Sequence, residues 1–536
     1  MQQTQYDYII VGAGSAGCVL ANRLSADGSK QVLLLEAGAK DNNPLVSMPI
    51  GWAQLFHHKS LGWGYYSEPE PEMDGHKMYS PRGKLLGGSS STNGMVYIRG
   101  QAQDYDDIAA LGNKDWAYKD VLPFFKKSEN CCIDDVDNEF HGREGELSTS
   151  PLRFSLPLAK TYIDAAVEAG HKLNNDFNGA TQEGVGYYHV TQKEGARAST
   201  AAAFLKPVMK RNNLTVLTHA TAKRIEFDGK TATGITFLNK KGQEITVQAK
   251  QEVILSLGSF NTPQLLELSG IGQEKVLTQH NIKPVHILDG VGENLQEHLS
   301  VKVVQRVNPD NATINSEAVP LKIIKHVFNY LFNKKGLMTL PAADVGVFCK
   351  GKGDDRPSYQ IHFSPGGGEL TEAGQVDPEF PSITSTCCVV RPKSRGYVHI
   401  QSADINQKPT IQFNFMQHAD DKRRMIEAVS IQREIFASQA FTSARQEELA
   451  PGTQVQTDEE ILNYINTGSH AVYHPVGSCK MGHDELSVVN DRLQVHGLKN
   501  LRIADASIFP NLISGNTNAA VIMVAERCAE FIKQGQ

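Results

Sequence analysis

Three closely spaced glycines, Gly12, Gly14 and Gly17, set the strongest constraint on how this chain folds. They follow a β-rich run at residues 6–11 and precede the nearly continuous apolar run 31–35. The residues between the glycines and the second run carry apolar side chains at helical spacing. This order predicts a strand, a tight turn, a helix and a second, buried strand, which together form a βαβ unit.

The spacing of the glycines indicates what the loop binds. The first glycine makes a tight turn, the second lets the backbone approach a pyrophosphate, and the third allows close packing of helix on strand. Ser15 and Ala16 open the helix, whose positive end would face the phosphates. Glu36, followed by Ala37, ends the second strand, where an acid binds ribose hydroxyls. The loop therefore predicts the ADP half of a redox dinucleotide, and nicotinamide and flavin both stay open.

Length and charge exclude several functions. The chain has 536 residues, enough for roughly two to four domains with buried cores, and its formal net charge is −6. That charge gives no attraction to nucleic acid, so no nucleic-acid partner is expected. We find no signal peptide and no apolar run of transmembrane length. We expect a cytoplasmic protein, and leave open its peripheral contact with the inner membrane and its oligomeric state.

The sequence gives no support for a metal site. The eight cysteines include no C-x-x-C pair, and we expect reduced, mostly buried thiols. His470 and His474 stand four residues apart, the spacing of a metal-binding pair on a helix. Pro475 argues against a helix through both histidines, so we predict no metal.

The pattern of predicted helices and strands changes along the rest of the chain. Residues 39–130 read as loops with short helices, and residues 301–465 as half-exposed strands that form an antiparallel sheet with helices on one face. The last segment returns to the style of the first, with a strand at 501–505. Helices are predicted at 156–169, 200–211, from Thr262-Pro263 onward, 422–437 and 518–533. Strands are predicted at 214–217, 222–227, 233–238, 244–247, 252–258, 345–349, 359–363, 386–390 and 397–401.

Three further segments carry a family likeness. They are residues 81–100, which contain Gly-Gly-Ser-Ser-Ser-Thr-Asn-Gly, residues 258–272, and residues 473–482 with Asn516-Thr517-Asn518 downstream. With the glycine loop, these ordered motifs closely resemble the glucose–methanol–choline (GMC) oxidoreductases from Tyr6 to Phe531. Within that family the chain looks most like bacterial choline dehydrogenases and FAD-linked alcohol dehydrogenases.

The resemblance implies a fold and a cofactor. It implies an α/β protein with a Rossmann-like FAD-binding domain and an α+β substrate-binding domain built on an antiparallel sheet. We assign residues 1–155, 190–300 and 465–536 to the first domain, and residues 156–189 and 301–464 to the second. The cofactor is then FAD and not NAD. Some family members attach FAD through a histidine where this chain has Thr92, so we predict non-covalent FAD.

The resemblance also assigns cofactor-binding residues beyond the first βαβ unit. Consecutive small residues in the Gly-Ser segment let backbone N–H groups approach phosphate and flavin oxygens. The residues assigned are Arg82, Gly87, Gly88, Ser89, Asn93, Gly94, Met95, Val96, Ala222, Asp505, Ala506, Asn516 and Asn518. Ala220, beside Ala222, falls in the same region, where the family contacts adenine.

The predicted catalytic residues lie near the C-terminus. His474 matches the family's catalytic histidine, and its ordinary pKa suits a general base. Asn516 matches the position opposite that base and can contact a substrate oxygen without titrating. We expect Asn518 to cap the final helix, whose positive end would stabilise reduced flavin. Glu297-His298 is expected to support the site structurally and not to act as a second base.

These residues predict oxidation of a primary alcohol to an aldehyde, by hydride transfer to flavin N5. Electrons would then pass to a quinone or another carrier. Three alternatives remain: an oxidase that uses O₂, a flavin-containing enzyme like the hydroxynitrile lyases, and a non-catalytic flavin scaffold. The identity of the alcohol and the lining of the substrate pocket stay open.

Overall fold

The computed structural model describes residues 4–367 and 381–535. The strands are β1 Gln5–Val11, β2 Val32–Glu36, β3 Tyr65–Tyr66, β4 Tyr79–Ser80, β5 Glu129–Cys131, β6 Leu147–Thr149, β7 Gly184–Tyr187, β8 Gln192–Lys193, β9 Ala196–Arg197, β10 Leu214–Thr218, β11 Thr221–Asp228, β12 Thr231–Leu238, β13 Glu244–Leu255, β14 Ile271–Gly272, β15 His286–Ile287, β16 Leu299–Val307, β17 Val345–Cys349, β18 Tyr359–Ser364, β19 Ser382–Val389, β20 Tyr397–His399, β21 Thr410–Gln412, β22 Arg445–Ala450, β23 His470–Ala471 and β24 Leu501–Ile503.

The helices follow the same chain order. They are α1 Ser15–Leu24, α2 Pro44–Ser47, α3 Trp52–Leu55, α4 Ala102–Ala110, α5 Tyr118–Ser128, α6 Pro157–Glu168, α7 Gly258–Leu268, α8 Glu274–Gln279, α9 Ile314–Glu317, α10 Pro320–Asn333, α11 Ala419–Ala437, α12 Asp458–Gly468 and α13 Asn518–Lys533. In the described parts of the chain, every helix is too short or too polar to span a bilayer.

The first large sheet contains the predicted βαβ unit. Its strand order is β10-β2-β1-β13-β12-β11, with β24 also paired to β13. Strands β10, β2, β1, β13 and β24 run parallel, whereas β12 and β11 turn back antiparallel. Their apolar side chains are buried on both faces, as expected of parallel strands between helix layers. Helix α1 joins β1 to β2 and packs on α13, so the first and last segments of the chain share one core.

The second large sheet confirms the predicted antiparallel architecture. Its strand order is β22-β16-β19-β18-β17-β7, with β23 paired to β16. Helices α6 and α11 pack on this sheet and bury its apolar face. The predicted strand at 397–401 is wrong in its placement: β20 is shorter and pairs with β21, outside this sheet. The mixed α/β fold class is confirmed, and the domain limits stay a prediction.

Two predicted helices that contain a proline differ from the structure, one in its regularity and the other in its first residue. At 200–211 the chain forms one wide turn, Ala201–Leu205, and one tight turn, Lys206–Val208, instead of an α-helix. Pro207 has no N–H to donate to the carbonyl four residues earlier, which interrupts the regular ladder. Helix α7 begins at Gly258 and therefore contains Pro263. The Ser259 carbonyl that Pro263 leaves free accepts a hydrogen bond from Ser478 Oγ at 2.6 Å.

The cysteines agree with the prediction. All eight are free thiols, seven are buried, and Cys132 is exposed. Burial raises the pKa of Cys18 and Cys528 to about 12, so these thiols are unreactive at neutral pH.

Candidate active site

A cavity of about 1260 Å³ runs from the glycine loop to His474. Its wall combines residues of the parallel sheet with residues of the antiparallel sheet, such as His362 of β18 and Thr386 of β19. Small-molecule pockets have volumes of roughly 300–1,000 Å³, so this cavity is large enough for a dinucleotide and a second molecule beside it.

The glycine loop at one end is built by close backbone packing. Gly12 has a φ of +100°, and a Cβ added to it would lie 2.5 Å from the Ser256 carbonyl oxygen. A Cβ on Gly17 would lie 1.9 Å from the Gly12 oxygen, so the third glycine packs helix on strand as predicted. A Cβ on Gly14, by contrast, would meet nothing nearer than 3.8 Å. The protein itself therefore leaves the space above Gly14 open to the cavity.

The start of α1 supplies donors at this end. Gly14 is the N-cap, and no side chain caps the helix. An uncapped N-terminus presents unsatisfied backbone N–H groups and a partial positive charge, which suits a phosphate. The loop and helix therefore fit the pyrophosphate of a dinucleotide.

Glu36 closes the glycine loop at the end of β2. Its carboxyl accepts hydrogen bonds from Ala13 N at 2.9 Å and Gly38 N at 2.8 Å. Burial raises its pKa to about 7, against the effect of these two donors. Glu36 also lines the cavity beside Ala37, so the residue that fixes the loop borders the ligand space.

The Gly-Ser segment lies against the glycine loop. A Cβ on Gly88 would lie 2.8 Å from Gly14 Cα, so the Gly-Ser segment needs glycine at Gly88 to approach the loop. Asn93 is held by Arg197, whose Nη1 donates to its backbone oxygen at 2.6 Å and to its Oδ1 at 2.8 Å. Arg197 could not be identified as a site residue from the sequence. Arg197 lies in β9, the second strand of a short hairpin, and belongs to no recognisable motif.

Nearly all the predicted cofactor residues line this one cavity. They are Gly12, Gly14, Ser15, Ala16, Glu36, Ala37, Arg82, Gly88, Ser89, Asn93, Gly94, Met95, Val96, Ala220, Ala222, Asp505, Ala506, Asn516 and Asn518. Gly17 and Gly87 lie behind the wall, where they allow close packing. The residues therefore fit FAD, although their individual contacts with it stay a prediction.

Asp505 acts on the protein backbone. It is buried, and its Oδ2 accepts from Gly258 N at 2.9 Å and Thr262 Oγ1 at 2.6 Å. Its Oδ1 accepts from the backbone and the hydroxyl of Ser507. Asp505 therefore fixes the start of α7 and the turn at Ala506–Ile508 beside the cavity.

The predicted cap of the last helix is wrong. Thr517 is the N-cap of α13 and makes no side-chain cap, whereas Asn518 is the first helical residue. The Oδ1 of Asn518 instead accepts from Ser15 Oγ at 2.7 Å, which joins the N-termini of α1 and α13. Both uncapped helix ends therefore point to the same cavity, and the free N-terminus of α13 keeps its partial positive charge.

The opposite end of the cavity is built from side chains. His474 Nε2 lies 3.0 Å from Asn516 Nδ2, and His474 Nδ1 lies 3.0 Å from His298 Nδ1. His298 Nε2 lies 3.1 Å from the Val390 carbonyl oxygen. Gln360 Nε2 donates to Asn516 Oδ1 at 3.1 Å, which turns the Asn516 amide nitrogen toward His474.

These contacts assign the protons on both imidazoles. A carbonyl oxygen only accepts, so His298 Nε2 carries hydrogen and, in the neutral ring, its Nδ1 is an acceptor. His474 Nδ1 must then donate to it, which leaves a lone pair on His474 Nε2. Asn516 Nδ2 donates to that lone pair. Val390 thus sets, through His298, the tautomer that a general base on the cavity side requires.

Burial keeps both histidines neutral. It lowers the pKa of His474 well below its usual value, assisted by the nearby His298, His362 and Arg82. Burial also lowers the pKa of His298 to about 4. Glu297 accepts from the backbone N–H groups of His298 and His474 at 2.8 and 2.7 Å, and burial raises its pKa to about 8. At neutral pH this carboxyl is therefore mostly uncharged.

The backbone before the histidine is constrained. Tyr473 has a φ of 72°, a left-handed conformation that is strained for an aromatic residue. Arg82 holds it there, because Nη2 of Arg82 donates to the Tyr473 carbonyl at 2.5 Å. Pro475 restricts His474 from the other side. The imidazole is therefore aimed by the backbone as well as by its hydrogen bonds.

The structure adds a polar row that the sequence analysis missed. Gln360 and His362 alternate on β18, and Tyr188 OH lies 3.0 Å from His362 Nδ1 and accepts from Gln360 Nε2 at 3.1 Å. Their period of two was a signal, because polar residues at alternate positions of a largely buried strand need partners. His470, in contrast, lies in β23, apart from His474's hydrogen bonds, and the two form no helical pair.

Comparison with known proteins agrees with this architecture. Residues 6–300 and 392–525 match the two family models described as GMC oxidoreductase. The chain is 44% identical to an alcohol dehydrogenase [acceptor] of Pseudomonas putida over 98% of its own length and 95% of the relative's. It is 40% identical to an oxygen-dependent choline dehydrogenase of Vibrio vulnificus, covering 100% of this chain and 95% of the other.

Solved structures give the same result. A pyridoxine 4-oxidase from Mesorbium loti superposes with a TM-score of 0.88 at 28% identity, covering 98% of this chain and 99% of the other. A formate oxidase superposes with a TM-score of 0.93 at 26% identity, covering 100% and 99%. The chain therefore belongs to the GMC oxidoreductases, a family of FAD-dependent enzymes.

Proposed function

We propose that this enzyme oxidises a primary alcohol to an aldehyde, with His474 as general base and Asn516 as the second contact to the alcohol oxygen. The observation that carries the proposal is the oriented His474, whose Nε2 lone pair faces the cavity 3.0 Å from the Asn516 amide. The relatives named as alcohol and choline dehydrogenases support the same reaction class.

The protein's part in the reaction is proton transfer and positioning. The alcohol hydroxyl donates to His474 Nε2, and Asn516 Nδ2 donates to the same oxygen, which holds the hydroxyl in place. His474 takes the proton as the C–H bond breaks, and the imidazolium that forms keeps its Nδ1–H bond to His298. Bound FAD supplies the hydride acceptor, N5 of the flavin. The N-terminus of α13 favours the negative charge of the reduced cofactor.

We propose that FAD is bound without a covalent link. Thr92 stands on the cavity wall, and its hydroxyl is too weak a nucleophile to replace a histidine as the attachment point. Denaturing the holoenzyme in acid should release all the yellow colour into the supernatant. Flavin that stays with the precipitated chain contradicts this proposal.

The electrons pass to a quinone or another carrier in this proposal. An assay with an alcohol panel and an artificial dye acceptor tests the reaction class and identifies the substrate. Peroxide formed under air at the dye-linked rate would favour an oxidase instead. Cyanohydrin cleavage without bleaching of the flavin by any alcohol would favour a lyase, and no turnover at all would favour a scaffold.

We further propose a cytoplasmic enzyme that makes peripheral contact with the inner membrane, where a quinone is available. The cavity wall supports this, because α10 lines the cavity with Ile323 and Val327 and is itself largely exposed. The acceptor is tested separately from the location. Enzyme in a membrane-free fraction should oxidise the alcohol with a water-soluble quinone analogue as acceptor.

A further inference from the structure

Helix α10 carries two apolar stripes, and only one of them packs on the protein. Ile323 and Tyr330 face inward and pack with Leu337, Met338 and Leu340. Leu321, Phe328 and Phe332 are 86%, 57% and 79% exposed. At about 100° per residue, the second set lies on the opposite side of the helix. A surface helix normally presents polar residues there, so an exposed apolar stripe points to a binding surface.

The exposed stripe is continuous and concentrated in this one helix. Along with the three side chains above, Ile324 and Leu331 are 53% and 59% exposed, at spacings of three and four residues. We call these five residues the α10 face. Elsewhere in the described chain the large exposed apolar side chains are scattered, as with Leu111, Leu173 and Leu486. Such isolated exposed residues are ordinary, whereas the α10 face is a patch.

The charges beside the α10 face on the helix itself are all positive, although Glu317, just before the helix, pairs with Lys322 at 2.9 Å and leaves Lys325, Lys334 and Lys335 as the excess. Residues 320–335 contain four lysines and no aspartate or glutamate, although the whole chain has a net charge of −6. Lys322 and Lys325 border the stripe, and Lys334 and Lys335 follow the end of the helix, where all four are exposed. Two copies of this face would bring their lysines together, which disfavours self-association. An anionic surface would complement them.

The helix that carries the α10 face also lines the cavity. Val319, Pro320, Ile323 and Val327 line the cavity, so one helix contributes to its wall and to the exposed stripe. A molecule that arrives from an apolar phase against Leu321 and Phe328 would therefore contact the same helix that borders the cavity.

We propose that the α10 face docks on the anionic surface of a phospholipid bilayer, with its apolar side chains inserted at the boundary of headgroups and acyl chains. Helices with an apolar stripe bordered by lysines bind membranes in this way, and binding rises with apolar area and with anionic lipid. The inference deepens the proposed function, and rests on it only for the reason to dock: the bilayer is the source of the quinone or of an apolar alcohol.

Vesicle sedimentation with the holoenzyme tests the proposal independently of turnover. The probe is vesicles of phosphatidylethanolamine and phosphatidylglycerol, compared with vesicles of phosphatidylcholine alone. The enzyme should sediment with the anionic vesicles, and less with the neutral ones. A triple variant, Leu321→Ser, Phe328→Ser and Phe332→Ser, should weaken binding by roughly tenfold or more, because much of the inserted apolar area is removed. The matched control is Leu111→Ser, Leu173→Ser and Leu486→Ser, which should bind as the parent does.

A second pair of variants tests the contribution of charge. The double variant Lys325→Gln and Lys335→Gln removes two charges beside the α10 face, and its control, Lys240→Gln and Lys275→Gln, removes two exposed charges elsewhere. Only the double variant beside the α10 face should weaken binding to anionic vesicles, by a few-fold. Flavin content and dye-linked turnover report that each variant is folded, so an inactive enzyme that still binds vesicles overturns the proposed function and not the docking surface. The docking proposal is overturned by a parent enzyme that stays in the supernatant, by equal binding to both vesicle types, or by equal loss in the control variants. The proposal is also overturned if the parent enzyme does not bind vesicles but forms dimers, and the α10 triple variant is monomeric.

Discussion

The two ends of the cavity are built from different materials. The glycine end consists of backbone from β1, the start of α1 and the Gly-Ser segment, fixed by Glu36. The catalytic end consists of side chains that meet across long chain separations: His298 and His474 are 176 positions apart, and Gln360 and Asn516 are 156 apart. In the roles that we propose, the binding end is marked by short glycine motifs that can be recognised locally in the sequence, whereas the reacting end is assembled by tertiary packing of side chains.

This difference makes the two ends separable by mutation. Changes at the glycine end should alter how tightly FAD is held. Changes at the catalytic end should alter the rate with FAD in place, because the proposed mechanism puts the side chains there against the reacting atoms and not against the nucleotide.

Replacement of the base should have the largest effect. His474→Ala removes the acceptor of the hydroxyl proton, so kcat should fall by about 10²–10⁴-fold. FAD content should stay near that of the parent, because the glycine end is untouched. The measurement is dye-linked turnover normalised to bound flavin. Turnover near that of the parent would show that His474 is not the base.

Loss of the residue behind the base should have a smaller effect on the rate. His298→Ala leaves His474 Nδ1 without its acceptor, so the reactive tautomer is no longer fixed and kcat should fall by roughly 10- to 100-fold. His298→Gln keeps a side-chain acceptor and should recover part of that loss. The pH profile distinguishes positioning from mere packing, because the acid limb should move only when the hydrogen bond is lost. If kcat falls equally in both variants and the acid limb of the pH profile does not move, the role assigned to His298 is contradicted.

At the glycine end, two alanine substitutions should differ in kind. Gly14→Ala adds a Cβ with no protein atom nearer than 3.8 Å, so it should leave the apoprotein's thermal stability unchanged and weaken FAD binding by about tenfold. Gly12→Ala strains a φ of +100° and clashes with Ser256, so it should destabilise the apoprotein itself. Calorimetry of the apoproteins and flavin titration measure the two effects. Unchanged FAD affinity in Gly14→Ala would show that the open space is not the cofactor's.

The smallest expected effect is the change of kcat/KM with pH near neutrality. Burial lowers the pKa of His474, so the imidazole stays neutral to lower pH than an ordinary histidine, whose pKa is about 6.5. The base is therefore available throughout the neutral range, and kcat/KM should change little until the pH falls below about 6.5. Glu297, whose pKa burial raises to about 8, also titrates near this range, so the profile is measured in Glu297→Gln as well. A profile that falls between pH 8 and 7 in both proteins contradicts this environment for His474.

The same contrast explains how far the sequence could be interpreted. The βαβ unit and Glu36 follow from local spacing, and the parallel strands follow from their apolar runs. His474 and Asn516 were identified through family resemblance, since nothing local marks one histidine among 18 as a base. The contact between His298 and His474, the Gln360 bond to Asn516 and the strain at Tyr473 depend on packing between distant segments. Asn518 was misassigned because a capping pattern does not register that Ser15, 503 positions away, offers a better partner.

The most direct test of the central claim is flavin reduction in a single anaerobic turnover, with enzyme saturated with FAD and then mixed with the best alcohol of the panel. Three proteins are compared: the parent, His474→Ala and Glu36→Gln. Glu36→Gln needs more FAD for saturation but, once loaded, should bleach at the parent's rate. His474→Ala, equally loaded, should bleach at least about 100-fold more slowly. Equal bleaching rates in all three proteins would contradict the division between a binding end and a reacting end.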